Sequence, residues 1–398
     1  MNLVAPTADF ALAQRVAHLG TETVFAVSAE AAALAAQGKT VYPVHLGDLN
    51  IATPENIVEA SLQAIRDGKT TYCPNAGIPQ LRDALAADVS RARGLDYAAE
   101  NVSVQPGGKP VIAKFLLTLM DPGDEVLYPN PGFPIYGSLI EFLGGVAVPY
   151  TYIEGSERFH LDLEGIARQI TPRTRLLILN DLHNPTAAEC APEELARLAE
   201  LVLEHDLLVL SDEAYFDVRF AGTSRSLVSL PGMRERCVIL YTFSKKYAMT
   251  GWRLGAAIGP KPIIDVITTL NVNIESCPNH FVQYGAVAAL SGDQSGPRAM
   301  MATPQGPPRR RPRGPQCHAG HPLPDARDHV LPVPQRHGSR EDNGLRRPRK
   351  LPPSRPRAHR RVVLHAAPLR PRPGRRERVL PAPGLLRREH RADPGRPR

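Results

Sequence analysis

Short apolar runs alternate with longer amphipathic segments between residues 51 and 296. Apolar runs of four or five residues that are rich in Val, Ile and Leu are typical of strands buried on both faces of a parallel sheet. Runs of this kind lie at Asp124–Tyr128, Leu176–Leu179, Leu207–Leu210 and Val238–Tyr241. The pattern therefore predicts four parallel strands in this region.

A helix is predicted between the second and third of these strands, at Pro192–Leu203. Its proline suits a first helical turn, two glutamates follow at once, and its leucines recur at helical spacing. A strand, a helix and a strand in this order imply right-handed crossovers and a sheet covered on both faces. The fold class expected is α/β, with a mainly parallel sheet flanked by helices.

Residues 1–50 differ from this regular part. They contain a helical pattern at Val27–Gln37 and a strand-like one at Val41–Leu46, and we expect an N-terminal arm and part of a small domain. Residues 51–296 form the predicted large domain. Beyond about Gly296 the periodicity stops.

The last segment, residues 297–398, has a separate composition. It holds 25 Arg and one Lys against seven acidic residues, 21 of the 40 prolines, and no aromatic residue. Such a segment is unlikely to bury a core, so we expect a disordered tail. The abrupt change suggests an out-of-frame continuation of a GC-rich coding sequence. The alternative is a basic appendage that binds nucleic acid or an anionic surface, although it lacks aromatic stacking residues.

The tail carries a net charge of +19 and the whole chain +8, so the remaining residues carry −11. This negative charge argues against nucleic acid as a partner of the folded part. We see no signal-peptide pattern and no membrane span. We therefore expect a soluble, cytoplasmic protein. Its cysteines are far apart and are expected to be isolated reduced thiols: Cys73, Cys190, Cys237, Cys277 and Cys317.

Polar residues follow the carboxyl ends of the predicted strands. A parallel sheet binds its ligands at this end of its strands. Asn184 and Pro185 follow the second strand, Asp212 the third and Lys245 the fourth. Each signal alone is weak, because Asn-Pro is usually a turn and a Lys-Lys pair is usually solvated. Together and in this order they predict one site.

The segment around the lysine reads Phe-Ser-Lys-Lys-Tyr-Ala-Met-Thr-Gly-Trp-Arg-Leu-Gly over Phe243–Gly255. It resembles the lysine signature of the class I/II aminotransferases, pyridoxal-phosphate (PLP) enzymes of fold type I, and the resemblance covers about Leu46 to Gly296. In that family the Schiff-base lysine lies six residues before the glycine of Gly-x-Arg. This spacing selects Lys245 over Lys246.

The resemblance implies that PLP is the cofactor and assigns residues to its ring. Asp212 matches the carboxylate that keeps the ring nitrogen protonated, which the cofactor needs as an electron sink. Tyr215 and Asn184 match the phenol and the amide that hydrogen-bond the ring oxygen. Phe133 matches the aromatic side chain that stacks on the ring.

A phosphate requires helix-terminal N–H groups and a cation. The glycine-rich turn before the apolar run Val111–Met120 suits that purpose. The residues that match the phosphate site of the family are Gly107, Gly108, Lys109, Thr242 and Arg253.

Two further matches concern the partner and the substrate. Tyr72 matches a tyrosine that reaches the phosphate in the neighbouring subunit, which implies a homodimer. Gly47 and Asn184 match substrate contacts. The sequence departs from the family at Gly47-Asp-Leu-Asn and at Asn184-Pro-Thr-Ala187, where glycine normally follows the threonine.

The function implied is transfer of an amino group from an amino acid to a 2-oxo acid, with Lys245 moving the proton. We expect this activity to be impaired, because the small domain and its carboxylate-binding arginine would come from the region that the tail replaces. The alternatives are another fold type I enzyme, such as a C–S β-lyase, or a catalytically inactive PLP-fold protein. No metal is expected.

Overall fold

The computed structural model describes residues 11–20, 23–42, 47, 51–156, 158–219 and 222–301. These residues belong to the first of two compact units, Met1–Arg336. The second unit, His337–Arg398, lies outside the described residues, as does most of the predicted disordered tail.

A seven-stranded sheet forms the centre of the described part, and residues 152–154 and 159–161 form a separate two-stranded antiparallel sheet. The strands are β1 (Val102–Gln105), β2 (Glu125–Pro129), β3 (Val146–Tyr150), β4 (Tyr152–Glu154), β5 (Phe159–Leu161), β6 (Thr174–Leu179), β7 (Leu208–Asp212), β8 (Cys237–Thr242) and β9 (Gly255–Ile258). The order is β1-β9-β8-β7-β6-β2-β3, and the pairings from β8 to β3 are parallel. Strand β9 pairs antiparallel with both of its neighbours.

The helices cover both faces of this sheet. They are α1 (Thr23–Ala36), α2 (Glu55–Arg66), α3 (Pro79–Arg93), α4 (Gly108–Leu119), α5 (Ile135–Phe142), α6 (Leu163–Gln169), α7 (Pro192–Glu204), α8 (Phe243–Lys246), α9 (Lys261–Ile274), α10 (His280–Ser291) and α11 (Ser295–Met301).

Alternate residues of the central strands enter two apolar cores, because successive side chains of a strand point to opposite faces. In β6, Leu176 and Ile178 pack with α4, α5 and α9, whereas Leu177 and Leu179 pack with α3, α7 and α10. Burial on both faces explains why these strands read as continuous apolar runs. It also leaves the carboxyl ends of the strands as the place for polar side chains.

The predicted α/β fold with a mainly parallel sheet is confirmed. The four predicted strands correspond to β2, β6, β7 and β8, with shifts of one or two residues at their ends. The predicted helix at Pro192–Leu203 is α7, whose first turn has the expected proline. The Glu194 carboxylate accepts a hydrogen bond of 2.6 Å from the Ala191 N–H, which stabilises the start of this helix.

Several boundaries differ from the predictions. Helix α1 begins four residues before the predicted Val27. The strand-like pattern at Val41–Leu46 lies mostly outside the described residues. Helix α11 spans residues 296 and 297, where the domain boundary was predicted, and its Met300 is buried. Among the described helices, none combines the length and the apolar character that a bilayer span requires.

Candidate active site

Three neighbouring strands end at one edge of the sheet and bring polar residues together, two of which, Asp212 and Thr242, were predicted. Asp212 is the last residue of β7 and Thr242 the last of β8, while Asn180 directly follows β6. Because β6, β7 and β8 are adjacent and parallel, these three side chains meet at the same edge.

Asp212 is a buried carboxylate whose two oxygens both accept hydrogen bonds. The Tyr136 hydroxyl donates to Oδ2 at 2.5 Å, and the Ala214 N–H donates to Oδ1 at 3.1 Å. Burial raises the pKa of Asp212 to about 6, and these two hydrogen bonds limit the rise. A buried acid of this kind favours a cationic N–H group as its partner.

Asn180 joins the ends of β6 and β7. Its Nδ2 donates to the Asp212 carbonyl oxygen at 3.1 Å, and its Oδ1 accepts from the Asn184 N–H at 3.0 Å. The side chain is 2% exposed, so both hydrogen bonds are shielded from water. Asn180 therefore positions the backbone of two residues that the sequence assigned to the cofactor ring.

Sequence reasoning missed both Tyr136 and Asn180. Tyr136 follows Phe133 by three residues, and Asn180 directly follows a predicted strand, so each stood beside a motif that had been recognised. Their position relative to Asp212 depends on contacts across the sheet, which the sequence pattern does not contain.

Lys245 lies in the short helix α8, which Thr242 caps. The Thr242 hydroxyl accepts a hydrogen bond of 3.2 Å from the Ser244 N–H, so this predicted phosphate ligand also fixes the start of the helix. The Lys245 ammonium donates to the Gly47 carbonyl oxygen and lies 5.8 Å from the centre of the Tyr215 ring. Lys245, Gly47 and Tyr215 are thus placed together.

Lys246 has different surroundings. Its ammonium lies 3.1 Å from the Asp217 carboxylate and 3.8 Å from that of Asp88. Burial lowers the pKa of Lys246, but the two carboxylates and Tyr247 together outweigh burial and raise it above its ordinary value. Lys246 is therefore held in ion pairs, whereas Lys245 faces Gly47 and Tyr215.

Tyr215 is nearly buried beside Asp212. Burial, together with the charge of Asp212, raises the pKa of the Tyr215 phenol to about 12. The phenol consequently keeps its proton at neutral pH and can donate a hydrogen bond.

Gly107, Gly108 and Arg253 form a cradle at the start of α4. Gly107 has φ +106°, and a Cβ atom at this position would lie 2.3 Å from Arg253 Nη2. Only glycine therefore lets the guanidinium approach the turn. The cradle combines the N-terminal N–H groups of α4 with a planar cation, the donor set that a phosphate group requires.

Phe133 and Lys109 lie between this cradle and Asp212. The rings of Phe133 and Tyr136 meet edge to face, with their centres 5.7 Å apart. The Lys109 ammonium lies 5.6 Å from the centre of the Phe133 ring. A chain of contacts therefore runs from Lys109 through the two aromatic rings to the buried carboxylate.

A cleft of about 300 Å³ opens beside Phe133, between residues 18–20 and α5. The Gly20 N–H donates a hydrogen bond of 2.8 Å to the Ser138 hydroxyl, which holds the N-terminal segment against α5. His18 and Glu141 contribute to the lining of this cleft.

Tyr72 is set apart from the buried group, because 84% of its side chain is exposed. Several predicted site residues have the chemistry that PLP requires: a phosphate cradle at Gly107 and Arg253, a buried acid at Asp212 and a lysine beside Tyr215. No group of His, Cys, Asp and Glu among the described residues could hold a metal ion.

Comparisons with known proteins agree with this geometry. Residues 44–306 match the family model described as aminotransferase class I and II. The aspartate aminotransferase of Geobacillus stearothermophilus is 37% identical over 287 residues, 71% of this chain and 72% of that protein. The aspartate/prephenate aminotransferase of Thermus thermophilus is 36% identical over 286 residues, 71% of this chain and 73% of that protein.

Solved structures share the fold. The Thermus thermophilus aspartate aminotransferase with maleate has a TM-score of 0.69 at 35% identity, covering 73% of this chain and 75% of that one. An alanine aminotransferase from Pyrococcus furiosus has the same TM-score and coverage at 30% identity. The sheet and helices described above are therefore those of PLP fold type I.

Proposed function

Since the chain belongs to the class I and II aminotransferases, which are PLP-dependent and transfer an amino group between an amino acid and a 2-oxo acid, we propose that Lys245 holds the cofactor and moves the proton. The observation that carries the proposal is the contrast between two adjacent lysines. Lys245 faces Gly47 and Tyr215, whereas Lys246 is paired with two carboxylates.

When bound, PLP supplies an electron sink for the electron pair left at the substrate Cα. The Asp212 carboxylate would hold a proton at the ring nitrogen, and its buried position supports this role because a charge partner there is poorly screened. Tyr136 keeps that carboxylate oriented. Tyr215 and Asn184 would donate hydrogen bonds to the ring oxygen.

The phosphate group would bind to the N–H groups of Gly107, Gly108 and Lys109 and to the Arg253 guanidinium. The close approach of Arg253 to Gly107 supports this assignment. Thr242 would add its hydroxyl, and Phe133 would stack on the ring.

Lys245 Nζ would remove the proton from the substrate Cα as general base and, as general acid, would deliver it to the cofactor carbon bonded to the substrate nitrogen. Gly47 and Asn184 would contact the substrate carboxylate. The hydrogen bond from Lys245 to the Gly47 carbonyl brings the base and this substrate contact together.

For the substrate we propose a dicarboxylic amino acid such as aspartate. Relatives named aspartate aminotransferase and aspartate/prephenate aminotransferase support this choice. Lys109 supplies a cation beside the Phe133 ring, where it can attract the side-chain carboxylate of such a substrate. The relatives cited are named as aminotransferases, which favours amino transfer over the lyase alternative.

We propose a homodimer in which Tyr72 reaches the phosphate in the partner's site. The exposure of Tyr72 supports this role, because an 84% exposed tyrosine is available to a second subunit.

The activity of this chain is proposed to be weak. The family match ends at residue 306 of 398, and the Arg-rich and Pro-rich segment follows. A substrate-binding arginine and the closure of a small domain would both be lost with the family's last segment. Loss of one charge-assisted pair costs about 1.5–3 kcal/mol.

The test compares this chain with a version whose residues after 296 are encoded in the other reading frame. PLP content and 2-oxo acid formed from aspartate are measured for both. We expect both proteins to bind PLP, but only the version with the other reading frame to catalyse transamination. In that version, Lys245→Ala should abolish the activity, and the matched control Lys246→Ala should retain it. Equal transamination by both chains would overturn the proposed impairment, and loss with Lys246→Ala alone would overturn the role of Lys245.

A further inference from the structure

Lys114 is a buried lysine in helix α4 that the proposed mechanism does not use. The residue is 1% exposed, and its ammonium lies within hydrogen-bond distance of three oxygens. These are Gln105 Oε1 at 2.8 Å, Asn271 Oδ1 at 2.5 Å and Glu275 Oε2 at 2.6 Å. Since an ammonium group has three N–H donors and no acceptor, every donor of Lys114 has a partner.

The two side-chain amides are oriented to meet this lysine. Gln105 Nε2 donates a hydrogen bond of 3.0 Å to the Ser103 hydroxyl, which leaves Oε1 of the same amide for Lys114. Asn271 Nδ2 donates to the Val104 carbonyl oxygen at 3.1 Å, which likewise leaves its Oδ1 for the ammonium. Both amides are buried, so each depends on a protein donor.

The Glu275 carboxylate favours the charged form of the lysine. Burial lowers the pKa of Lys114, whereas the hydrogen bond and the charge of Glu275 counteract the fall. Glu275 directly follows α9, so the ammonium connects α4 with the end of α9 as well as with β1.

Lys114 also joins the two sides of the glycine turn that forms the phosphate cradle. Gln105 is the last residue of β1, and α4, which contains Lys114, begins at Gly108. Between them, Gly107 has φ +106°, and its N–H donates to the Gln105 carbonyl oxygen at 2.7 Å. The side chain of Gln105 is thus held by Lys114 and its backbone oxygen by the turn, so a shift of Gln105 would move the turn.

We propose that Lys114 is a positioning residue for the cofactor phosphate and acts on it through Gln105. Without the ammonium, two buried amide oxygens and a carboxylate lose their donor, and such groups regain partners only by moving. The N–H groups at the start of α4 would then lose the alignment that a phosphate requires. The inference rests on the proposed phosphate cradle at Gly107 and Arg253.

The test measures the affinity of the cofactor-free full chain for PLP and for pyridoxal, which lacks the phosphate group. Their ratio is the phosphate preference. Lys114→Met should lower this preference about tenfold or more, because only PLP uses the turn. The matched control is Glu125→Gln, which alters a buried carboxylate at the amino end of β2 that accepts hydrogen bonds from Thr171 and Thr174. It should lower the free energy of unfolding and leave the phosphate preference unchanged.

Gln105→Met gives the same test if Lys114→Met does not fold, because it removes the contact with the turn and keeps the pair of Lys114 and Glu275. Its phosphate preference should also fall. An unchanged preference in these variants, or an equal fall in Glu125→Gln, would overturn the positioning role.

Gly107→Ala separates this inference from the proposed cradle. A lower phosphate preference in Gly107→Ala, together with an unchanged one in Lys114→Met and Gln105→Met, would overturn the role of Lys114 alone. An unchanged preference in Gly107→Ala itself would overturn the cradle, and the positioning role with it.

Discussion

The Tyr136 hydroxyl donates a hydrogen bond of 2.5 Å to the Asp212 carboxylate, although the two residues lie 76 positions apart in the chain. This bond lowers the pKa of Asp212 against the larger effect of burial. It therefore favours the ionised carboxylate, the form proposed to hold a proton at the cofactor ring.

Tyr136→Phe should consequently move the acid limb of the kcat/KM profile to higher pH and reduce turnover. A hydrogen bond to a charged group contributes about 1.5–3 kcal/mol, so a loss of roughly tenfold or more is expected. The matched control is Tyr150→Phe, which removes a buried hydroxyl that donates to the Ile178 carbonyl oxygen at 2.8 Å. An equal shift of the profile in both variants would contradict the role of Tyr136.

Asp212→Asn should stabilise the cofactor-free protein at neutral pH. It should also lower turnover, because the proton at the PLP ring nitrogen would lose its carboxylate partner. The folded-state pKa of Asp212 is raised from 3.8 to about 6, so its stabilising contribution is complete below pH 3.8 and is lost as the pH rises through about 6. The variant has no carboxyl group to ionise at this position, so it avoids this loss of stability, which amounts to about 3 kcal/mol at most. Urea unfolding between pH 4 and pH 7 measures the difference, and a pH-independent difference would contradict the pKa argument.

Gly107→Ala should weaken PLP binding strongly. The new Cβ would lie 2.3 Å from Arg253 Nη2 and would displace the guanidinium from the phosphate cradle. Gly123→Ala is the matched control, since Gly123 has φ +93° but nothing within 4 Å of the added Cβ. The control carries the backbone strain alone, so equal PLP affinity in the two variants would show that the cradle is wrongly assigned.

The proposed shared site can be tested with hybrid dimers. A Lys245→Ala protein and a Tyr72→Ala protein, each inactive in the version with the restored reading frame, should regain part of the activity when mixed. In each hybrid, one site keeps both Lys245 and the partner subunit's Tyr72. No recovery, despite demonstrated subunit exchange, would argue against a site shared between subunits.

The sequence predicted those parts of the fold that depend on local patterns. The strands β6, β7 and β8 read as apolar runs because both of their faces are buried. The choice of Lys245 over Lys246 came from a resemblance to the lysine signature of the family, through the spacing to Gly251 and Arg253. Both kinds of signal lie within a few residues of the feature that they predict.

Contacts across the fold could not be predicted in the same way. Tyr136 meets Asp212, and Asn180 connects Asp212 with Asn184, only because distant segments pack together. The antiparallel strand β9 was also missed, since its small apolar residues do not indicate a direction.

The central claim is that Lys245 is the residue that holds the cofactor. The most direct measurement is reduction of the PLP-loaded protein with borohydride, followed by digestion and mass spectrometry of the labelled peptide. We predict that the pyridoxyl label lies on Lys245 and that Lys245→Ala abolishes it, whereas Lys246→Ala leaves it in place. A label on Lys246 in the unaltered chain, or labelling that survives Lys245→Ala at the same yield, would contradict the account.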